Sequence, residues 1–247
     1  MQIETAYLCD KGGKSINDDS LFMETRTKGL CVFVGDGLGG YQGGKTASEA
    51  AGKAVLSCYQ DEQNPLTAEW MLHTARQADA AVQKVQLEHA GEMKTTLVVL
   101  IIDHKRACWM HIGDSRLYHF INGKIHAQTA DHSVSQLAVM MGDITPDQIR
   151  FHPDRSRILR ALGSPDTTPE ISAVTELKRA KHSFLLCSDG FWEYVTEEDM
   201  EKTLRSSKTP QQWLEKMERL LLDRVPPNND NYTAAAVFVD NGLFSSL

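Results

Sequence analysis

The chain has 247 residues, 41% hydrophobic and 24% charged, with 17 glycines and 8 prolines; that is the composition of a globular chain with a sizeable core, and it excludes disordered and fibrous classes. Its 33 acids against 26 bases give a formal charge of -7, and no lysine-arginine cluster offers a footprint for nucleic acid. No apolar run approaches the ~20 residues that span a bilayer, and the start, MQIETAYLCD, lacks a signal-peptide pattern, so the expectation is a cytoplasmic protein with neither nucleic acid nor membrane as a partner.

In chain order, the first strand signal is the apolar run at 30–34, which enters a glycine turn, VGDGLGG. An alanine-rich helix follows at 45–59, then a longer polar helix at 67–89 with Trp70, Met71, Ala78, Val82 and Val85 available for one face. The next segment reads as strands at 96–102, 107–112, 117–121 and 124–128, separated by a polar turn at 103–106, a Gly113-Asp114-Ser115 break and an Asn122-Gly123 turn. Asn-Gly between apolar runs is the strongest short hairpin signal, so these strands are expected to form an antiparallel meander. Capping signals at Thr145 and Thr196 open short helices. Strands at 183–187 and 234–239 bracket TPQQWLEKMERLLLD, a helix with a capping box and with Trp213, Met217, Leu220 and Leu221 on one face. Sheets in the middle with helices outside, in one continuous domain over 1–247, is the predicted architecture. The five cysteines are widely spaced and form no C-x-x-C pair, which predicts reduced thiols.

Six acids sit at strand ends or in turns: Asp18 and Asp19 in KSINDDS, Asp36 in VGDGLGG, Asp114 in HIGDSRLY, Asp189 in LLCSDGFW and Asp230 in NNDNYTAAAV. Gathering carboxylates at strand mouths is costly unless a cation neutralises them, and all-oxygen ligands suit magnesium or manganese. Gly35 and Gly37 would give the backbone around Asp36 the freedom to turn the Gly37 carbonyl toward a metal.

The same glycine turn admits a rival reading. From Gly39 to Thr46 the letters GGYQGGKT match the P-loop pattern of nucleotide triphosphatases, with Lys45 and Thr46 on phosphate and magnesium. Against it, Gly39 lies beyond an additional turn rather than directly off the strand, and the hairpin signals after Asp103 contradict a parallel sheet.

NDDS, DGLGGYQGGKTAS, TTLVVL, GDSRLY, TADHSV, LRALGS, LLCSDGFWEYV and DNYTAAAV occur, from about residue 6 to residue 239, in an order and spacing that resembles the metal-dependent protein phosphatase family, type 2C, in its compact bacterial form. The resemblance implies an α+β fold, a four-layer α-β-β-α sandwich of two antiparallel sheets flanked by helices. It implies a site for two manganese or magnesium ions with provision for a third. Asp36 would bridge both ions, the Gly37 carbonyl would join one, Asp189 and Asp230 would hold the other, Asp18 or Asp19 would act directly or through water, and Asp114 would serve the third position. The implied activity is hydrolysis of phosphoserine and phosphothreonine in proteins by in-line attack of a water held between the metals, with Asp36, Asp19 and Lys14 as catalytic residues.

Two departures stand out. Family members usually carry a phosphate-gripping arginine where this chain has Lys14, which keeps the charge and loses the fork, with Arg160 or Lys11 as helpers. Leu38 follows the Asp-Gly where many eukaryotic members have a histidine; His132 is a candidate substitute, with a structural role the better reading. The stretch 133–160 matches the family's flap, a substrate-selecting excursion, the alternative being a plain helical excursion with Met140 and Met141 as core filler. The expected protein is a monomeric phosphatase opposing a serine/threonine kinase; the alternatives are a catalytically weak phosphoprotein-binding pseudophosphatase and the P-loop enzyme.

Overall fold

The computed structural model describes residues 1–27, 29–39, 43–60, 66–89 and 91–240. The chain begins with β1 (Gln2–Asp10), β2 (Ser20–Arg26), β3 (Gly29–Gly35) and a two-residue β4 (Gly37–Leu38), then helices α1 (Gly43–Gln60) and α2 (Ala68–His89). Next come β5 (Lys94–Thr95), β6 (Leu97–Asp103), β7 (Arg106–Ile112), β8 (Arg116–Ile121) and β9 (Lys124–Gln128). Helix α3 (Val134–Met141) and a 3-10 turn (Pro146–Phe151) lead to β10 (Glu170–Ile171) and β11 (Thr175–Glu176). The chain closes with β12 (Lys181–Cys187), α4 (Asp189–Trp192), α5 (Glu197–Arg205), α6 (Pro210–Leu222) and β13 (Tyr232–Asp240).

One sheet runs β1-β13-β12-β8-β9 and a second runs β10-β7-β6-β3-β2, with β11 also on β7. The strand pairings are antiparallel. Side-chain alternation then sorts the core into three layers. Leu30, Val32 and Val34 of β3 point one way, with Val98, Leu100, Leu117, Phe184, Leu186 and Val237, and form the interior between the sheets. Cys31 and Phe33 point the other way and pack under Ala47, Ala51, Val55, Met71 and Ala78 of α1 and α2. On the opposite face Tyr118, Phe120, Leu185 and Cys187 pack under Met200, Trp213, Leu214 and Met217 of α5 and α6. Two helix layers and two sheet layers make the predicted α-β-β-α sandwich.

The predicted four-strand meander is corrected: β6 and β7 belong to one sheet, β8 and β9 to the other. The chain changes sheets at the Gly113-Asp114-Ser115 break, where Gly113 has φ +101 and a Cβ would lie 2.7 Å from the Thr96 side chain. The Asn122-Gly123 hairpin stands as read, with φ +52 and +78 at its two residues, the left-handed pair that a tight hairpin turn requires. Sequence patterning missed β1 and β2: β1 buries only Ala6 and leaves Tyr7 exposed, so as an edge strand it carries almost no apolar alternation.

Within the first sheet, His119 Nε2 donates to His182 Nδ1 (3.0 Å) and His182 Nε2 donates to the Lys178 carbonyl (3.1 Å). Burial first, then His182 and His126, holds the His119 imidazole down at about 3. An unfolded imidazole takes its proton at about 6.5. The neutral pair is therefore at its full stability above that pH and loses it as pH falls towards about 3. His119→Phe is expected to lower the melting temperature at pH 7.5, and its deficit relative to the wild type is expected to shrink between pH 6.5 and 5; a deficit that stays constant would contradict this.

A candidate metal centre at one end of the sandwich

The strand registers bring all six acids to one end of the molecule. Asp10 is opposite Tyr232, and Cys187 is opposite both Ala234 and Arg116, so the end of β1, the start of β13, the end of β12 and the start of β8 coincide. In the second sheet Ser20 is opposite Gly35, and Leu97 is opposite Ile112. Asp18 and Asp19 therefore enter β2, Asp36 leaves β3, Asp114 links β7 to β8, Asp189 leaves β12 and Asp230 enters β13, all at the same edge.

Five of the carboxylates see one another. Burial, then Asp189, Asp19, Asp114 and Asp230, raises the Asp36 carboxyl well above its ordinary range. Asp189 is likewise raised well above by burial, then by Asp114, Glu193, Asp230 and Asp19. Asp19 is pushed up to about 6 by burial, with Asp230 adding to it, and Asp114 to about 7 by burial and Asp131. Asp19 Oδ1 and both carboxylate oxygens of Asp114 are buried with no hydrogen-bond partner. Buried, donorless carboxylate oxygens that repel one another are what a hard divalent cation satisfies, so the donor set fits manganese or magnesium.

Asp18 and Asp19, adjacent in sequence, point to opposite sides. Asp18 Oδ1 accepts the Lys45 amide at 2.9 Å and so caps the start of α1. Asp19 is buried; its Oδ2 accepts the Ser188 hydroxyl at 2.7 Å. Gly37 lies against the same helix start: a Cβ on it would be 2.2 Å from the Gly44 carbonyl oxygen and 2.6 Å from that of Asp18. Only glycine admits that approach.

Several side chains that sequence reading gave no role hold the frame. Thr96 Oγ1 accepts the Asp36 amide (2.8 Å), while the Asp36 carbonyl accepts the Thr96 amide (2.9 Å) and the Thr95 hydroxyl (3.0 Å). Asn231 binds the N-terminal loop through the Lys11 and Ile16 carbonyls and the Asp18 amide. Trp192 Nε1 donates to the Asp114 carbonyl (2.9 Å), and Arg116, bidentate on buried Asp131, lies 3.5 Å from the centre of the Trp192 ring. Asn231 directly follows Asp230, which was the available signal, whereas Thr95 and Thr96 sit inside a quoted motif with no acid beside them in sequence.

Lys14 Nζ stands 3.3 Å from Asp230 Oδ1, with both side chains about half exposed, which puts an ammonium at the rim of the carboxylates. Arg160 pairs with Asp166 (3.2 Å). His132 serves structure: its Nδ1 accepts the Gly113 amide (3.1 Å) and its backbone N–H donates to the Gly113 carbonyl (2.9 Å). Among the described residues His132 also groups with His111 and Glu170. The two rings stack nearly parallel at 4.6 Å, and Nε2 of His132 carries the proton because Nδ1 accepts. One ligand atom of each of the three residues lies within 4.8 Å of the others, but that proton occupies the His132 Nε2 position.

The excursion 133–160 is anchored beside the site. Arg155 Nε pairs with Glu193 Oε1 (2.7 Å), and Arg150 donates to the Trp192 and Glu193 carbonyls. Met140 and Met141 are 75% and 74% exposed, so the core-filler alternative is corrected: α3 turns them to solvent. The P-loop stretch is described only in part, residues 40–42 lying outside the described residues. Lys45 Nζ binds the Asp19 carbonyl (2.7 Å) and Ser20 Oγ (3.2 Å), and β3 and β6 are antiparallel, which contradicts a P-loop.

The sequence profile of the family described as Protein phosphatase 2C matches residues 11–223. A relative from Listeria innocua named serine/threonine phosphatase stp is 30% identical over 199 residues, 78% of each chain. The serine/threonine protein phosphatase PstP of Mycobacterium tuberculosis is 30% identical over 228 residues, 92% of this chain and 43% of PstP. The crystal structure of M. tuberculosis PstP/Ppp superposes with a TM-score of 0.85 at 28% identity, covering 97% of this chain and 99% of that one. The catalytic domain of PstP in complex with two manganese ions superposes at 0.83 and 27% identity, covering 96% and 99%.

Proposed function

This chain belongs to the protein phosphatase 2C family, and we infer that it is a metal-dependent serine/threonine phosphoprotein phosphatase. The observation that carries this reading is the set of five mutually repelling carboxylates at one sandwich edge, two of them with buried oxygens that find no donor.

Bound manganese or magnesium supplies Lewis acidity toward phosphoryl oxygens and acidifies a water nucleophile near neutral pH. Asp36, at the centre of the repulsion, would hold two ions together with Asp19, Asp189, Asp230 and the Gly37 carbonyl; Asp114 would serve a third. Asp18, as the cap of α1, would act indirectly. Lys14, at the rim, would bind the substrate phosphate as a point charge. No side chain is needed as nucleophile. Ser188 is fully buried, its proton is given to Asp19 and its oxygen accepts the Thr233 amide.

The segment 133–160 would act as a flap over the site in a catalytic domain spanning 1–247. The reading extends to a monomeric cytoplasmic enzyme whose phosphoprotein substrates are made by a serine/threonine kinase. Among the described residues no helix is long and apolar enough to cross a membrane.

Phosphate release from a phosphothreonine peptide and from ATP, each with manganese and with chelator, tests this reading. Manganese-dependent release from the peptide alone is expected; release from ATP that Lys45→Ala abolishes would overturn it. Lys14→Ala is expected to raise KM for the peptide about tenfold, the loss of about 1.4 kcal/mol from one charge-assisted contact, with Lys14→Arg restoring it. An unchanged KM in Lys14→Ala would remove Lys14 from the phosphate site.

A further inference from the structure

Ser188 is placed where two strands of the first sheet part. Its amide donates to the Thr233 carbonyl at 3.0 Å, the last rung of the β12–β13 ladder. The reciprocal rung is made by a side chain: the Thr233 amide donates to Ser188 Oγ at 3.0 Å. The hydroxyl thus stands in for the acceptor that a continuing strand would supply, and the backbone is released into the turn that presents Asp189. Close packing depends on that turn, since a Cβ at Gly190 would lie 2.0 Å from the Asn231 carbonyl oxygen.

A serine hydroxyl has one proton. With its oxygen engaged as acceptor by Thr233, that proton is directed to Asp19 Oδ2 at 2.7 Å. Asp19 comes from the other sheet's end, 169 residues away in sequence. One oxygen of Asp19 is therefore pinned and the other, Oδ1, is buried with no partner beside Asp36 and Asp230.

We propose that Ser188 is a positioning residue that fixes the Asp19 carboxylate so that Oδ1 is presented as a cation ligand, tying the divalent-ion affinity of one sheet's edge to the end of the other. The inference rests on the reading of the carboxylates as a metal site. Hydrogen-bond partners that orient ligating groups are worth about 10–100-fold in metal affinity, which sets the expected size.

The test is calorimetric titration of manganese into the full chain as wild type, Ser188→Ala, Asp19→Ala and the double variant, with melting temperatures measured in chelator. Ser188→Cys, which keeps the volume and weakens the donor, replaces Ser188→Ala if the latter melts far below the wild type. Ser188→Ala is expected to weaken manganese binding about 10–100-fold in the wild-type background and to have no further effect once Asp19 is alanine. Unchanged affinity in Ser188→Ala overturns the proposal, as does a loss of the same size in both backgrounds, which would mark a general structural role. A wild-type chain that binds no manganese would instead overturn the metal reading itself.

Discussion

Replacing Asp36 with Asn is expected to cut manganese-dependent hydrolysis of a phosphothreonine peptide by roughly 10³-fold, the scale on which a preorganised electrostatic group acts in a water-poor site. The same substitution is expected to stabilise the protein in chelator. Asp36 is repelled by four carboxylates and desolvated, so a neutral amide of the same shape relieves a cost that only a cation otherwise offsets. One or two kcal/mol of relief is about 3–6 °C in melting temperature for a chain of this size. Activity lost together with stability in chelator would point to a folding defect. Activity retained would remove Asp36 from the centre of the site.

The second large effect is the pH dependence of stability with and without manganese. Asp19 and Asp114 take protons at about 6 and about 7 in the fold, against about 3.9 in an unfolded chain. Their folded values are raised, so the stability they contribute is fully present below about pH 4 and is lost as pH rises through 6 and 7. In chelator each such proton costs about 1.4 kcal/mol per pH unit within that window, and the carboxylates' contribution to the melting temperature is expected to fall by about 5–10 °C between pH 5 and pH 7.5. Manganese needs the deprotonated carboxylates, so its stabilising effect should be small at pH 5 and large at pH 7.5. His119 and His132, held at about 3 and about 4, run with the opposite sign. The carboxylate part is therefore read from the difference between the wild type and Asp114→Asn, which removes the higher of the two titrations. A wild-type curve in chelator parallel to that of Asp114→Asn would contradict the cluster.

The sequence disclosed those features whose cause is local. The continuous apolar run at 30–34 marked a strand, and the structure packs Leu30, Val32 and Val34 into one layer and Cys31 and Phe33 into another. Asn122-Gly123 named its own turn. Each acid at a strand mouth could be picked out one by one, and strand register then brings them to one edge, where five of them interact. What stayed hidden depends on partners distant in the chain. Nothing local separates Asp18 from Asp19, because the choice is made by α1 on one side and Ser188 on the other. Nor does apolar patterning reveal that β7 and β8 part company at Gly113, since a strand looks alike whichever sheet accepts it. Asn231 carries no local signature of its role, and its grip on residues 11–18 exists only once β1 and β13 pair.

If the carboxylates at this edge form a divalent-cation centre for phosphoester hydrolysis, manganese titration by calorimetry at pH 6.5 in two buffers of different ionisation enthalpy detects it. At least two ions per chain are expected, with protons released on binding, because burial and mutual repulsion raise Asp36, Asp114 and Asp189 toward the protonated carboxyl, which a cation displaces; Asp36→Asn should lose most of that binding. An absence of manganese binding, or binding without proton release that Asp36→Asn leaves intact, would contradict the account.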